Sequence, residues 1–206
     1  MSTTLRRSLL ARLGAAGLGV CALAVVGAGA AVAAEEDTVD VRVEIAPDAE
    51  PGVLALTVAN DSTSLTEAER DGTDRTFTGK LPTVTVTDTR LPENIDPSSY
   101  WYVMGSITDF AGTAGQPPIL AAESFGWYPD IVSGNPEGGD QLVAPGDPVD
   151  PGIGGFVEAE LLASVDSASD AAGGAYSATA DLLLRTPADV AAGSYAATIT
   201  LTLLQD

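Results

Sequence analysis

Two short aromatic clusters hold the side chains best suited to binding a ligand. Exposed aromatic rings on a sheet offer flat apolar faces on which sugar rings can stack. Neighbouring side chains of a strand point to opposite faces, so Trp101 is expected to face the core with Val103 while Tyr100 and Tyr102 face outward. An ordinary core position is the main alternative for the tryptophans. The candidate binding residues are Tyr100, Trp101, Tyr102, Trp127, Tyr128 and Tyr195.

Acidic residues are the other groups that could do chemistry. Glycoside hydrolysis needs two carboxylates about 5–10 Å apart, but a solvated acidic surface accounts for abundant acids without catalysis. Acidic loops with a nearby glycine can bind calcium, although neither candidate group has EF-hand spacing, and a charged loop in water is the preferred interpretation. The calcium candidates are Asp140, Asp147 and Asp150, with Glu69, Asp71 and Asp74 as a second group.

This chain lacks the residues that several kinds of catalysis require. There is no histidine, and the single cysteine, Cys21, lies in the N-terminal segment. This excludes Ser-His-Asp chemistry, a thiol nucleophile in the mature chain and ordinary zinc sites. Phe77 stands three residues before the one lysine, Lys80, so a Ser-x-x-Lys motif is absent. We predict a protein that is not an enzyme and has no cofactor, with calcium as the one plausible metal.

Residues 1–34 have the features of an export signal. Arg6, Arg7 and Arg12 precede an Ala/Gly/Leu/Val run from Leu13 to Val32, and small residues offer a cleavage site before Glu35. An uncleaved membrane anchor is the less favoured alternative. Both the general secretory and the twin-arginine routes fit the segment, the former better. We expect a secreted protein, extracellular or associated with the cell wall, with no membrane contact after cleavage.

The charge of the chain limits its partners. The formal net charge is −20, all 29 acidic residues follow the signal, and three of the nine basic residues lie within it. Such a surface repels nucleic acid phosphates and anionic lipids and attracts divalent cations. Nucleic acid is therefore not an expected partner.

Alternating apolar and polar residues predict that strands position these groups. Residues 39–45 and 54–58 are expected to form a hairpin, and residues 133–155 an irregular loop. With no convincing amphipathic helix after the signal, eight or nine strands indicate a single all-β domain over residues 35–206, an Ig-like Greek-key β-sandwich. The remaining strands are expected at residues 81–90, 100–110, 120–129, 156–165, 176–184 and 193–206, with a weak one near Leu65.

Two motifs in these strands resemble the WxL domain, a surface module of Gram-positive bacteria. The first family motif, Trp-x-Leu followed by Asp-Phe, is matched by Trp101-Tyr102-Val103 and then Asp109-Phe110. The second, Tyr-x-x-x-Leu-Thr-Trp-x-Leu, is matched in spacing by residues 195–203, with Leu201 in place of the tryptophan. The pattern looks like a divergent version found in secreted actinobacterial proteins.

The resemblance implies non-covalent attachment to peptidoglycan through the domain itself, and in some members the display of surface complexes. No membrane or covalent anchor is expected at the C-terminus, so the folded domain would have to hold the protein in place. A second hypothesis is a structural or adhesive subunit that binds other surface proteins or extracellular glycans, because an open terminal strand could pair edge to edge.

Overall fold

The computed structural model describes residues 52–70, 72–135, 141–152 and 154–206, with the backbone alone at residues 69 and 70. Short connections include a 3-10 turn, Pro92–Asn94, and one helical turn, α1, Ala121–Ser124. The strands are β1 Leu54–Val58, β2 Thr66–Arg70, β3 Asp74–Lys80, β4 Val84–Asp88, β5 Trp101–Ile107, β6 Ala111–Gly112, β7 Phe125–Ser133, β8 Val143–Pro145, β9 Glu160–Val165, β10 Ala175–Pro187, β11 Tyr195–Ala196 and β12 Ile199–Gln205.

The larger sheet is organised around the 13-residue strand β10. One edge of β10 pairs with β4 through Ala175–Ala178 and with β3 through Asp181–Pro187, so β3 and β4 lie end to end along it. The opposite edge of β10 pairs with β7. Strand β1 pairs with β4, and β2 pairs with β3. All of these pairings are antiparallel.

The second sheet has four antiparallel strands in the order β12-β5-β9-β8. Residues far apart in the chain are neighbours here, because the C-terminal β12 pairs with β5 over its whole length, from Ile199 opposite Ile107 to Gln205 opposite Trp101. A small two-strand sheet joins β11 to β6. The protein is therefore an all-β sandwich, as the alternating pattern predicts.

The core lies between the two sheets and is centred on two tryptophans. Trp101 of β5 and Trp127 of β7 are both fully buried. Trp127 packs edge-on against Phe156, with 4.8 Å between ring centroids. It also lies directly over Gly105 of β5, where an added Cβ atom would come within 2.5 Å of its ring. The ring thus fixes how closely β7 and β5 can approach.

A buried ion pair connects the two sheets at one side of this core. Asp88, at the end of β4, is completely buried and accepts two hydrogen bonds from the Arg90 guanidinium, at 2.7 and 2.8 Å. Arg90 also donates to Gln205 Oε1 of β12 at 2.6 Å. Burial of this carboxylate is tolerated because the Arg90 guanidinium compensates its charge with two hydrogen bonds.

Several predicted elements differ from the observed ones. The expected strand at residues 156–165 begins only at Glu160, and Val157, within the expected range, is 66% exposed. Strand β3 was not predicted, because its sequence Asp-Arg-Thr-Phe-Thr-Gly-Lys carries only one large apolar residue. The short strand β8 lies within residues 133–155, which were predicted as an irregular loop, and the short strand β6 lies just after the strand expected at residues 100–110. The expected strand and hairpin at residues 39–45, like the signal at residues 1–34, lie outside the described residues.

The last predicted strand is interrupted. Residues 193–206 form β11 and β12, separated at Ala197 and Thr198, because β11 pairs with β6 while β12 pairs with β5. The described residues all belong to one compact unit. Within them, no helix has both the length and the apolar character needed to cross a membrane.

The contact between Trp127 and Gly105 leads to a stability prediction. Gly105→Ala would place a methyl group within 2.5 Å of the indole, and overpacking a close-packed core costs about 1–3 kcal/mol. We expect chemical denaturation to show a loss of this size. The control is Ser106→Ala on the exposed face of the same strand, which should change the free energy of unfolding little. Equal stability of Gly105→Ala and the wild type would contradict this packing.

Candidate functional site: an exposed tyrosine face and an inter-sheet cleft

The two tryptophans proposed as binding residues are core residues. Trp101 and Trp127 have no exposed surface, because both project between the sheets. Trp101 packs against Tyr176 with 6.0 Å between ring centroids. Their indole nitrogens are buried, and no hydrogen-bond partner for either is found among the described residues. The expectation that Trp101 faces the core is confirmed, and a direct ligand contact for either tryptophan is wrong.

Two of the candidate tyrosines come together on the outer side of the four-stranded sheet. Tyr100 and Tyr102 stack with ring centroids 5.9 Å apart and an interplanar angle of 22°. Tyr102 lies opposite Leu204 of β12, so Leu204 shares its face. Tyr100 is 42% exposed and Leu204 is 40% exposed. We call the surface formed by Tyr100, Tyr102 and Leu204 the tyrosine face.

A carboxylate lies at the rim of the tyrosine face. The hydroxyl of Tyr100 donates to Asp206 Oδ2 at 3.2 Å. This hydrogen bond, together with the charge of Asp206, raises the pKa of Tyr100 above its usual value. Backbone hydrogen bonds between Tyr100 and Asp206, at 3.0 and 3.1 Å, continue the β5–β12 pairing and fix this arrangement. The tyrosine face therefore combines a flat aromatic surface with a fixed acceptor.

The other two candidate tyrosines lie elsewhere. Tyr128, half-buried on β7, donates a short hydrogen bond to Asp150, which raises the pKa of Tyr128; burial adds to the effect. Tyr195, half-buried on β11, donates to the carbonyl of Ala191 at 2.8 Å. The six predicted residues thus do not form a single site, since they divide between the core, the tyrosine face and two separate positions.

The calcium candidates are only partly within the described residues. Asp140 and Asp71 lie outside them, and so does the side chain of Glu69. Asp150 is the acceptor for Tyr128, and Asp74 is part of β3. Among the residues that the structure describes, no three acidic, histidine or cysteine side chains are grouped as metal ligands would be.

A cleft that was not predicted from the sequence lies between the sheets. Its volume is about 520 Å³, within the range of small-molecule sites. It lies at the end of β10 and β5 away from Trp101, and its lining includes Phe77, Phe110, Phe125, Leu184, Thr186 and Tyr195. We call it the inter-sheet cleft. No local pattern indicates the cleft, because its lining comes from strands distant in the chain and one of them, β3, carries only one large apolar residue and was not predicted.

Comparisons of the chain with protein-family models, with curated proteins and with solved structures find no match. The all-β sandwich class is therefore defined by the structure itself.

The pair of Tyr128 and Asp150 can be tested by titration. A tyrosinate next to a carboxylate is disfavoured, so Asp150→Asn should lower the pKa of Tyr128 towards its usual value of about 10. Ultraviolet absorbance of tyrosinate during an alkaline titration would show one tyrosine ionising at lower pH than in the wild type. Asp147→Asn is the matched control and should leave the titration curve unchanged. An unshifted curve for Asp150→Asn would be evidence against this hydrogen bond.

Proposed function

We propose that this chain is a secreted, non-enzymatic protein that associates non-covalently with the Gram-positive cell wall by binding peptidoglycan glycan on its tyrosine face. The observation that carries the proposal is the stacked pair formed by the exposed Tyr100 and the half-buried Tyr102 on the outer side of the sheet. Aromatic rings fixed in this way present an apolar surface at low entropic cost, because each tyrosine has only two side-chain torsions. Sugar rings, which have apolar faces and polar edges, suit such a surface.

Polar groups around the rings would supply the remaining contacts. Asp206 lies at one side of the tyrosine face, and Ser164 of β9 lies opposite Tyr102. A carboxylate and a hydroxyl can accept hydrogen bonds from sugar hydroxyls, and the serine can also donate. A neutral glycan therefore fits the surface better than a strongly anionic polymer.

The acidic charge of the chain constrains how it meets the wall. With a net charge of −20, it is repelled by anionic wall polymers at low salt. Binding would then depend on aromatic and hydrogen-bond contacts, with divalent cations bridging carboxylates on the two surfaces. We expect sedimentation with sacculi to be greater in calcium than in chelator.

The residues of the two motifs that resemble the WxL domain lie next to each other in the structure. The Trp101-Tyr-Val103 motif lies on β5, and the second motif continues into β12, which pairs with β5 so that Val103 faces Leu203. The two motifs are thus antiparallel neighbours in one sheet. Leu201, in place of the second tryptophan, is half-buried and packs against the core. These positions support the sandwich, while the proposed recognition is assigned to the tyrosines.

Removing the rings tests the proposal directly. The double variant Tyr100→Ala/Tyr102→Ala should lose at least about tenfold in affinity for purified sacculi. Stacking of a nucleic-acid base on an aromatic side chain is worth about 1–3 kcal/mol, and we expect a sugar ring stacked on each tyrosine to contribute a similar amount. Co-sedimentation of the mature protein measures this loss. Tyr100→Phe/Tyr102→Phe keeps both rings and should retain most of the binding.

Unfolding curves of both double variants show whether a loss of binding comes from the missing rings or from a loss of folding. The phenylalanine variant should unfold close to the wild-type midpoint. The alanine variant should still unfold in one cooperative transition, because the rings lie on the outer side of the sheet and not in the core. If the wild type stays in the supernatant with calcium and with chelator, the wall-binding proposal is wrong. Equal binding by the alanine variant and the wild type would exclude the tyrosine face as the site.

A second candidate function, a structural or adhesive subunit, is favoured by the edge of β12. This strand pairs with β5 on one side, and among the described strands none pairs with its other edge. Ile199, Leu201 and Leu203 are only half-buried there. Open edges of this kind accept a further strand from another chain.

Light scattering coupled to size-exclusion chromatography separates the two functions. Edge pairing predicts an oligomer, and Leu203→Pro should convert it to a monomer. Because the backbone groups of Thr198 and Asp206 bond to β5, alternation directs the N–H of Leu203 to the free edge, where proline removes this donor. Leu203→Val is the control, because it keeps this N–H and an apolar side chain. A strictly monomeric wild type that binds sacculi would leave wall association as the function.

A further inference from the structure

A groove between the edge strands β1 and β12 leaves apolar side chains of the sandwich uncovered. Its volume is about 410 Å³, and its lining includes Leu56 and Val58 of β1 with Ile199 and Leu201 of β12, bordered by the polar residues 60–63. Val58 lies opposite the buried Val84 and so shares its inward face, yet Val58 is 44% exposed. Inward-facing apolar residues that stay exposed on two edge strands indicate room for a further strand.

Strand β12 has backbone groups that are free to pair with such a strand. Thr198 and Asp206 use their backbone groups to bond to β5, and hydrogen-bonding direction alternates along an antiparallel strand. The N–H and C=O groups of the odd-numbered residues from Ile199 to Gln205 therefore point to the opposite edge. Among the strands that the structure describes, none pairs with that edge.

The sequence of β12 lacks the features that normally protect an exposed edge. It reads Ile-Thr-Leu-Thr-Leu-Leu-Gln, without charge or proline, and its register with β5 is regular. Natural edge strands commonly carry charges, prolines or bulges that prevent pairing with another chain. By contrast, the sequence of β2 contains glutamate and arginine, and β8 ends in proline. In a chain of net charge −20, this uncharged strand is an edge at which two copies can meet with little local repulsion.

From these features we infer that β12 pairs with β12 of a second copy of this chain, antiparallel and about a two-fold axis at Thr202. Odd-numbered residues then face each other, with Leu201 beside Leu203 of the second copy, and each such pair exchanges two backbone hydrogen bonds. Two-fold pairing closes the assembly at two copies and leaves no β12 edge free. The inference names the partner of the second candidate function, on which it rests, and it does not depend on wall binding.

A pairing centred at Thr202 suits the side chains as well as the backbone. It places all seven residues of β12 in pairs. Leu203 of the second copy lies beside Leu201 and points into the groove, where burying its apolar surface is favourable at about 25 cal/mol per Å². Asp206 of each copy lies opposite Thr198 of the other, so the pairing does not bring the two Asp206 side chains together.

Disulfide trapping tests both the pairing and its register. Thr202 meets its counterpart in a non-hydrogen-bonded pair, where Cα atoms are about 4.5 Å apart and a disulfide can form. All variants carry Cys21→Ser, which leaves the introduced cysteine as the only thiol. Thr202→Cys should form a disulfide-linked dimer at least about tenfold faster than Thr200→Cys, whose two copies lie about 14 Å apart along the strands. Both positions are exposed on the same face of β12, so the two variants are matched.

Two variants at Leu203 connect the trapping to the free edge. Leu203→Pro removes the N–H that bonds to Leu201 of the second copy, so it should slow cross-linking of Thr202→Cys at least about tenfold. Leu203→Val keeps the N–H and an apolar side chain, and should cross-link within about twofold of the parent. Circular dichroism and unfolding curves establish that each variant is folded before the rates are compared.

Salt should strengthen the dimer. Each copy has a net charge of −20, and Asp61 borders the groove. The two copies therefore repel each other at low ionic strength, and added salt screens this repulsion. In sedimentation equilibrium, the Kd of the wild-type dimer should fall at least about threefold between about 0.05 and 0.5 M NaCl.

Four results would overturn the inference. They are a strictly monomeric wild type, equal cross-linking of Thr200→Cys and Thr202→Cys, cross-linking that persists in Leu203→Pro, and a dimer that salt weakens. A monomer that sediments with sacculi would leave the proposed wall binding in place, with the groove open to a strand of another protein. A dimer that stays in the supernatant would support self-pairing and remove wall binding, so the two failures are distinguishable.

Discussion

The contact of Trp127 with Gly105 sets the separation of the two sheets, and the rest of the structure depends on it. A bulky indole on β7 can enter the layer between the sheets only because β5 has no side chain at position 105. Once Trp127 is seated there, Phe156, Phe125 and Phe110 follow in a continuous chain of aromatic contacts. Close packing of this kind leaves the ring no alternative position.

The same arrangement closes the sandwich at one end and leaves it open at the other. At the Trp101 end, Tyr176 packs on the indole, and the Asp88–Arg90 pair reaches across to Gln205. At the far end of β5 and β10, residues 190–197 border a cleft between the sheets. The closely packed part of the core and the cleft thus lie at opposite ends of the sandwich.

The sandwich also separates its two candidate binding surfaces. Period-two alternation places Trp101 and Val103 inside while Tyr102 points outward. The tyrosine face therefore lies on a strand that Trp101 holds against the core, and Trp101 itself does not reach the surface. The cleft lies within the layer, away from the tyrosine face. Substitutions at one surface can therefore be made without disturbing the other.

The sequence by itself determined the all-β class, the inward orientation of Trp101 and Val103, and the outward orientation of Tyr100 and Tyr102, because these follow from local alternation. Strand β4, whose apolar residues alternate clearly, was predicted for the same reason. Strand β3 was not, since its pairing with β10 stabilises a segment with little apolar pattern of its own. Only the tertiary structure decided that Trp127 is core, that Tyr100 stacks on Tyr102, and that Phe77, Thr186 and Tyr195 line one cleft. Each of these depends on contacts between residues distant in the chain, which no local pattern encodes.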